Sequence, residues 1–321
     1  MKRLGPWLKL GFSLVMVGYV LAVSNPGQIL RVLADANTGL LLVGTAVWGV
    51  IQLLNVFKWQ VLSRAQGVDV PFRSLLDVYY IGMFFNTFLP SGFGGDAVRA
   101  YELSRLTARG GASLSSVVMD RYTSLLSLVL LATLAIFFAP PALQVVPRSL
   151  VAVTCLAGIA GFVFLLQDRW LRRLSSHSFG AATPKVQRML TEMADSAASL
   201  NSRKSALGLA LLISLAFQFL TIVEHYLFML ALGLAVPFAY TVFFIPILTF
   251  VASLPISING LGIREGGYAY FLGHVGVGSA EAVSVGLLSF SMLLLSGAWG
   301  AVRYMGKRRE GAAPVQERPA S

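Results

Sequence analysis

Two short glycine-rich segments carry the residues with the clearest chemistry in this sequence. The first runs from Leu89 to Arg99 and the second from Leu254 to Arg264. In both, the arginine follows a proline by nine residues, and a glycine stands five residues after that proline. Backbone N–H groups of glycine-rich segments form anion-binding nests, and arginine offers phosphate a bidentate pair of donors. We therefore predict that both segments bind an anion, and phosphate in particular.

The acids near these arginines are expected to neutralise them. An unpaired buried arginine costs several kcal/mol, so we expect Asp96, Glu102 and Glu265 to be the resting counter-ions. The residues assigned to the anion site on this reasoning are Pro90, Gly94, Gly95, Asp96, Arg99, Asp120, Arg121, Ser257, Gly260, Gly262, Arg264 and Glu265. The alternative is that the prolines are ordinary kinks, that both arginines reach a cytoplasmic surface, and that the pair Asp120-Arg121 marks topology only.

A second ionisable pair, Glu224-His225, lies inside a long apolar run. An ionisable residue within a membrane span is a functional hypothesis by default, because burying it in lipid is expensive. We assign this pair to proton coupling, with hydrogen bonding between helices as the alternative.

The composition indicates that most of this chain is surrounded by lipid. Of its 321 residues 56% are hydrophobic and 12% are charged, and the mean hydropathy is +0.73. These values exclude a water-soluble globule. The formal net charge of +11 does not indicate nucleic acid, because the cations stand in short clusters beside apolar runs. With one cysteine, Cys155, and three histidines without metal-ligand spacing, we predict neither a metal site nor a cofactor.

Six apolar runs are long enough to cross a hydrocarbon core of about 30 Å. They lie at 8–24, 39–57, 117–139, 149–167, 205–232 and 280–305. Two further apolar stretches each end in a leucine-proline pair and a glycine-rich segment, so neither continues as a regular helix. We predict an all-α polytopic membrane protein with six full spans and two re-entrant hairpins, at 74–116 and 238–277. Seven or eight spans are the alternative.

The cations predict the orientation of the chain. Of its 25 Lys and Arg residues, 22 fall at 1–9, 58–73, 97–121, 168–204 and 303–318. By the positive-inside rule, both termini and the segment at 168–204 are cytoplasmic. We expect an amphipathic interfacial linker at 168–204 and a disordered tail at 306–321.

The same order of elements occurs twice in the sequence. Two spans, an apolar arm, a Leu-Pro-Gly-Arg segment and a third span make up a first repeat at 1–167 and a second at 205–305. Three crossings in each half require the second repeat to lie upside down relative to the first. Inverted repeats with interrupted helices are an architecture of secondary transporters, whose substrate sites lie near the midplane.

The motifs together resemble a known family. They are Asn86-Thr87-Phe88-Leu89-Pro90, Gly94-Gly95-Asp96 with Arg99, Asp120-Arg121, and Pro255-Ile256-Ser257 with Gly260, Gly262 and Arg264-Glu265. In this order they are similar, over nearly the whole chain, to the transmembrane region of lysylphosphatidylglycerol synthetases and its stand-alone flippase-like relatives. The resemblance implies a lipid-translocating module in a bacterial or archaeal plasma (inner) membrane, and it adds Asn86 to the site. Some relatives are linked instead to polyprenyl-phosphate sugars or hopanoid lipids.

The expected function is that of a flippase for an anionic or phosphate-containing lipid. The fused synthetases also carry a soluble aminoacyl-transfer domain, whereas about 16 residues follow the last span here, so we expect translocation without synthesis and a separate lipid-synthesising enzyme. The sequence has no Walker motif, so the lipid gradient or protons are expected to supply the energy. The alternative is a membrane transferase acting on a polyprenyl-phosphate lipid, with Asp96, Asp120 or Glu265 as general base or metal ligand.

Overall fold

The computed structural model describes residues 26–88, 94–137, 156, 184–253 and 260–312. The predicted span at 8–24 lies outside these residues, as does the span at 149–167 apart from Leu156. Pro90 and Ser257 of the predicted site also lie outside them.

The described part of the chain is all-helical. Its ten helices are α1 (Pro26–Ala34), α2 (Thr38–Ala65), α3 (Phe72–Phe88), α4 (Gly94–Thr107), α5 (Gly110–Phe137), α6 (Pro184–Ser202), α7 (Lys204–Ala231), α8 (Phe238–Ser253), α9 (Ile263–Gly273) and α10 (Ser279–Ala312). The helix α6 falls in the predicted linker at 168–204, and α10 continues to Ala312, into the predicted tail at 306–321.

Four of these helices, α2, α5, α7 and α10, are long and apolar enough to cross a membrane. They coincide with four of the six predicted spans, so the chain is a multi-pass membrane protein. At 1.5 Å per residue, the 28 residues of α2 extend about 42 Å, more than a hydrocarbon core of about 30 Å. The side chain of Asn37 caps the start of α2 by accepting a hydrogen bond from the backbone of Leu40, at 3.1 Å.

The turn after α2 recurs after α7. The first is Gly67-Val68-Asp69-Val70-Pro71-Phe72 and the second is Gly233-Leu234-Ala235-Val236-Pro237-Phe238. Both glycines have a positive φ, 77° and 72°, which ends the preceding helix. Both prolines stand directly before the next helix, where a missing N–H costs nothing. Helices of 28, 17, 14 and 28 residues (α2 to α5) are thus followed by helices of 28, 16, 11 and 34 (α7 to α10) in the same order.

One end of the helix bundle, here called the basic end, joins the end of α2, the start of α3, the end of α4, the start of α5, the helix α6, the start of α7 and the end of α10. Its cations are Arg64, Arg73, Arg105, Arg109, Arg188, Arg203, Lys204, Arg303 and Lys307. Arg109 donates to the carbonyl of Gly67 at 2.8 Å, and Arg303 forms a two-pronged ion pair with Asp77 at 2.6 and 2.7 Å. At the opposite end, the backbone N–H of Asn37 donates to the carbonyl of Ala231 at 2.8 Å.

Two pairs of helices fold back on themselves from opposite ends of the bundle. Helices α3 and α4 start and end at the basic end, where Leu75 and Leu103 share one apolar cluster. Helices α8 and α9 start and end at the opposite end, where the Tyr240 hydroxyl donates to the carbonyl of Phe271 at 2.6 Å. The described glycines of the two segments, Gly94 and Gly95 in the first and Gly260 and Gly262 in the second, therefore lie at the far end of each helix pair.

The helix α6 packs against α5. The carboxylate of Glu192 accepts a hydrogen bond from the backbone N–H of Gly111 at 2.7 Å, in the first turn of α5. The Ser199 hydroxyl donates to the carbonyl of Ala65 at 2.8 Å, and Ala194 and Ala197 are buried. This helix thus caps the span that carries Asp120 and Arg121.

Glycines bring the two halves into close contact. A Cβ on Gly300 of α10 would lie 1.9 Å from the carbonyl oxygen of Tyr80 on α3, and a Cβ on Gly297 would lie 2.9 Å from the Thr87 hydroxyl oxygen. The backbones of α3 and α10 approach each other this closely only because glycine has no side chain.

Gly300→Ala is therefore expected to lower the free energy of unfolding by about 1–3 kcal/mol or more, because the added methyl group has to push two backbones apart. The matched control is Gly208→Ala on α7, where an added Cβ meets nothing within 4 Å. Thermal unfolding of both variants in detergent measures the difference. Equal midpoints for the two variants would contradict the close contact.

Candidate functional site

A chain of alternating charges crosses the first half of the bundle. The Lys58 Nζ lies 3.0 Å from Asp120 Oδ1, and the Asp120 Oδ2 accepts a hydrogen bond from Arg99 Nη2 at 2.8 Å. Arg99 Nη1 lies 3.5 Å from Asp96 Oδ1, and the Asp96 Oδ2 accepts from Arg121 Nε at 2.7 Å. These five residues, here called the first charge cluster, join α2, α4 and α5 and consist of three cations and two carboxylates.

The Arg99 guanidinium at the centre of this cluster lies against two aromatic rings. Its Cζ lies 4.1 Å from the ring centroid of Trp59 and 5.1 Å from that of Tyr79, within the range of cation–π contacts. A Cβ on Gly82 would lie 2.5 Å from Arg99 Cγ, so this glycine makes the room for the arginine stem. Nη1 and Nη2 of Arg99 thus face carboxylates and the guanidinium lies against two rings, while the buried Nε has no hydrogen-bond partner among the described residues.

Lys58 is a member of the site that the sequence did not predict. It was counted among the cytoplasmic cations at 58–73, yet its side chain is fully buried (0% exposed). Besides the Asp120 carboxylate, it donates to the backbone carbonyl of Asp120 at 3.0 Å and to the Ser124 hydroxyl. At the other end of the cluster, the Arg121 side chain is 48% exposed. The Lys58 end of the cluster is thus buried, and the Arg121 end is exposed at the surface of the bundle.

Next to this cluster, α3 and α4 are in close contact at Gly95. The Asn86 Oδ1 accepts a hydrogen bond from the backbone N–H of Gly95 at 2.8 Å. A Cβ on Gly95 would lie 2.1 Å from the carbonyl oxygen of Gly82, so only glycine fits there. Gly94 is the first residue of α4 and Asp96 lies in its first turn, where a carboxylate is favoured by the helix dipole.

Glu102 does not act as the counter-ion of Arg99 that we expected. Its carboxylate lies 3.4 Å from the Lys307 Nζ and 3.9 Å from Arg105 Nη1. Both contacts lie near the C-terminal end of α4, at the basic end. Asp120, 21 residues away in sequence, forms the closest ion pair of Arg99 instead. The expectation for Glu102 was wrong because a helix in a bundle neutralises its charges across helix contacts as well as along its own turns.

The second half holds a different group of polar residues, here called the second charge cluster: Glu224 and His225 on α7, and Arg264, Glu265 and Tyr268 on α9. Arg264 Nε lies 3.7 Å from Glu265 Oε1, too far for a hydrogen bond. The ring of Tyr268 stacks on that of His225 with a centroid distance of 6.1 Å.

Several polar atoms of the second charge cluster have unmet hydrogen-bonding capacity. Within the described ranges, no hydrogen-bond partner reaches Arg264 Nε and Nη2, Glu265 Oε1 or either carboxylate oxygen of Glu224. The Glu224 side chain is 1% exposed, and its Oε2 lies 3.9 Å from His225 Nδ1. That nitrogen lies 2.7 Å from the carbonyl oxygen of Thr221, which fixes it as the N–H donor of the ring. Buried polar groups without partners are rare and need an explanation.

Gly260 and Gly262 shape the approach to α9. Their φ angles are 75° and 80°, a backbone conformation that favours glycine. The carbonyl of Gly260 accepts from the backbone N–H of Arg264 at 2.8 Å, and the N–H of Gly262 donates to Glu265 Oε2 at 2.7 Å. The carboxylate of Glu265 therefore sits at the positive end of α9.

Aligning the two halves by the first residues of their helices gives a different correspondence from aligning them by the spacing between proline and arginine. Arg99 lies five residues after the first residue of α4, whereas Arg264 lies one residue after the first residue of α9. Alignment of α2 with α7 pairs Lys58 with Glu224 and Trp59 with His225. Alignment of α4 with α9 and of α5 with α10 pairs Asp96 with Glu265, Arg99 with Tyr268 and Asp120 with Ser289.

The contacts follow this alignment. Arg99 lies against Trp59 and hydrogen-bonds to Asp120, while Tyr268 lies against His225, with its hydroxyl 3.5 Å from that of Ser289. The second half thus repeats the scaffold of the first with a lysine replaced by a carboxylate and an ion pair replaced by two hydroxyls.

Helix α7 passes both clusters. The Phe217 ring lies 5.1 Å from Lys58 Nζ, and the Gln218 side chain donates to the carbonyl of Ser124 at 3.3 Å. Glu224 follows seven residues after Phe217, a rise of about 10 Å along the helix. The structure therefore brings the predicted residues together as two neighbouring groups.

Comparisons with known proteins identify a family and several relatives. The model of the family Lysylphosphatidylglycerol synthase TM region matches residues 7–300. A UPF0104 membrane protein of Methanothermobacter thermautotrophicus is 24% identical over 324 residues, covering 92% of this chain and 96% of that protein. A UPF0104 membrane protein of Pyrococcus horikoshii is 22% identical over 307 residues, covering 86% of this chain and 91% of that protein. No solved structure matches the chain.

Proposed function

Because the chain belongs to the Lysylphosphatidylglycerol synthase TM region family, we propose that it translocates a lipid with an anionic or phosphate-containing headgroup across the membrane. The headgroup passes between the tips of the two hairpins, and the acyl chains remain in the bilayer. The observation that carries this proposal is the pair of largely buried charge clusters, both beside α7, in a bundle of apolar helices. Such charges are expensive in lipid and mark pathways for polar cargo.

The orientation and the energy source belong to the same proposal. The basic end faces the cytoplasm of a bacterial or archaeal cell, with the second repeat inverted relative to the first. One hairpin is then entered from the cytoplasm and the other from outside. The carboxylate of Glu224, buried and without a hydrogen bond among the described residues, carries the proton if proton movement drives transport.

Reconstitution into vesicles with a fluorescent phosphatidylglycerol tests the proposal. Dithionite bleaches the dye only in the outer leaflet, so a translocating protein makes nearly the whole dye pool accessible, whereas protein-free vesicles keep about half of it protected. The expected result is loss of this protection with the lipid chemically unchanged. Covalent turnover of the lipid without leaflet exchange would favour the membrane transferase. Protection equal to that of protein-free vesicles, with no turnover, would contradict both functions.

A further inference from the structure

The aligned carboxylates of the two clusters, Asp96 and Glu265, differ in the side chains that pair with them. Asp96 in the first half is paired with two guanidinium groups, Arg121 at 2.7 Å and Arg99 at 3.5 Å. Glu265 occupies the aligned position in the second half, yet its one hydrogen bond within the described part of the chain is to the backbone N–H of Gly262, at 2.7 Å. Both carboxylates lie at the start of a helix, but only Asp96 is locked there by side chains.

Arg264, the cation beside Glu265, also has donors that make no hydrogen bond to the described residues. Arg264 Nε and Nη2 are buried, and no described residue accepts a hydrogen bond from either. Its guanidinium lies 5.4 Å from the Phe290 ring centroid, which covers one face and leaves the N–H edge without a partner in the described ranges. Charge-assisted hydrogen bonds are roughly twice as strong as neutral ones, so an edge of this kind has strong unused binding capacity.

We propose that the start of α9 is the site where the lipid phosphate binds, and that the Glu265 carboxylate is a resident anion which the phosphate displaces. This inference rests on the proposed translocation of a phosphate-containing lipid. The phosphate oxygens accept from the guanidinium of Arg264 and from the Gly262 N–H, which in this structure donates to Glu265. The exchange keeps one anion at the helix start, so the charge of Arg264 is matched before and after binding.

A glycine on α10 keeps the Glu265 side chain from being crowded. Glu265 packs on Gly286 of α10, where an added Cβ would lie 3.3 Å from Glu265 Cγ and from the ring of Tyr268. A larger residue at this position would crowd Glu265 against α10. The first half is not expected to perform such an exchange, because Asp96 is held by Arg121 at 2.7 Å and Arg99 by Asp120 at 2.8 Å, which leaves only Nε of the Arg99 guanidinium without a hydrogen-bond partner among the described residues. The first charge cluster is thus the fixed half of the pathway, and the second is the exchanging half.

Binding of dioctanoyl phosphatidylglycerol to the purified protein in a non-ionic detergent tests the exchange. Glu265→Gln retains the oxygen that accepts from Gly262 and removes the competing charge, so it is expected to bind this probe about tenfold more tightly than wild type. Arg264→Gln is expected to bind it at least about tenfold more weakly. The matched control, Glu102→Gln, removes a carboxylate paired with Lys307 and is expected to leave the affinity unchanged.

A gain of affinity in Glu265→Gln cannot arise from partial unfolding, which would weaken binding. Unchanged or weaker binding by Glu265→Gln, with binding still dependent on Arg264, would overturn the exchange and leave the proposed translocation standing. Failure of the wild-type protein to bind the probe, together with no leaflet exchange in vesicles, would overturn the proposed function itself.

Discussion

Asp120→Asn is expected to lower the free energy of unfolding by about 3–5 kcal/mol, the range found when one partner of a buried ion pair is removed. The Asp120 carboxylate lies 3.0 Å from Lys58 and 2.8 Å from Arg99, and both cations are buried. The substitution leaves two positive charges facing each other in a low-dielectric interior. Titration of the purified protein with a denaturing detergent, followed by circular dichroism, measures the loss.

The matched control for this substitution is Asp69→Asn. Its carboxylate accepts a hydrogen bond from Arg64 at 2.8 Å, but both side chains are exposed, so the expected cost is at most about 1 kcal/mol. Lys58→Met is expected to cost less than Asp120→Asn, because Asp120 keeps Arg99 as a partner. Equal losses for Asp120→Asn and Asp69→Asn would show that the first charge cluster does not hold α2, α4 and α5 together.

The long helices could be predicted from hydropathy alone, but their ends could not. The predicted span at 39–57 stops before Lys58, because a lysine lowers the hydropathy of any window that contains it. The helix α2 continues to Ala65, since Lys58 meets its counter-ion on α5 inside the bundle. Similarly, α5 begins at Gly110, before the predicted start at 117, where Glu192 of α6 caps its first turn. Contacts between distant segments decide both ends, and hydropathy along one segment carries no information about them.

The members of the site were partly predictable, whereas their pairing was not. Asp120 and Arg121 are adjacent in sequence, yet Asp120 points to Lys58 and Arg99 while Arg121 points to Asp96. Successive residues of a helix are about 100° apart around its axis, so neighbours in sequence face different partners. Spacing along the chain identified the charged residues but could not tell which of them would meet.

One sequence signal would have improved the alignment of the two halves. The Gly-x-x-Val-Pro-Phe motif occurs at 67–72 and again at 233–238, and it shows directly which residues of α2 and α7 correspond. In this alignment the buried Glu224 corresponds to Lys58. The correspondence predicts that Lys58, which charge counting assigned to the surface, is buried as well. The Pro-to-Arg spacing aligned only the hairpin tips, where the two helices begin at different distances from the arginine.

Arg264→Lys is expected to slow lipid translocation by about 10- to 100-fold per folded molecule. An ammonium does not reproduce the bidentate geometry of a guanidinium, so one or two charge-assisted hydrogen bonds to the phosphate are lost, each worth about 1.5–3 kcal/mol. Its stability is expected to stay near wild type, since the guanidinium donates no hydrogen bond to any described residue from Nε or Nη2. Arg99→Lys is expected to show the opposite pattern, a loss of stability with a smaller change in rate, because its donors bind Asp120 and Asp96. The dithionite assay and detergent unfolding measure the two effects, with the exposed Arg64→Lys as the control. If Arg99→Lys slowed translocation as much as Arg264→Lys at unchanged stability, the first charge cluster would contact the lipid headgroup as well, and the division between a fixed and an exchanging half would be wrong.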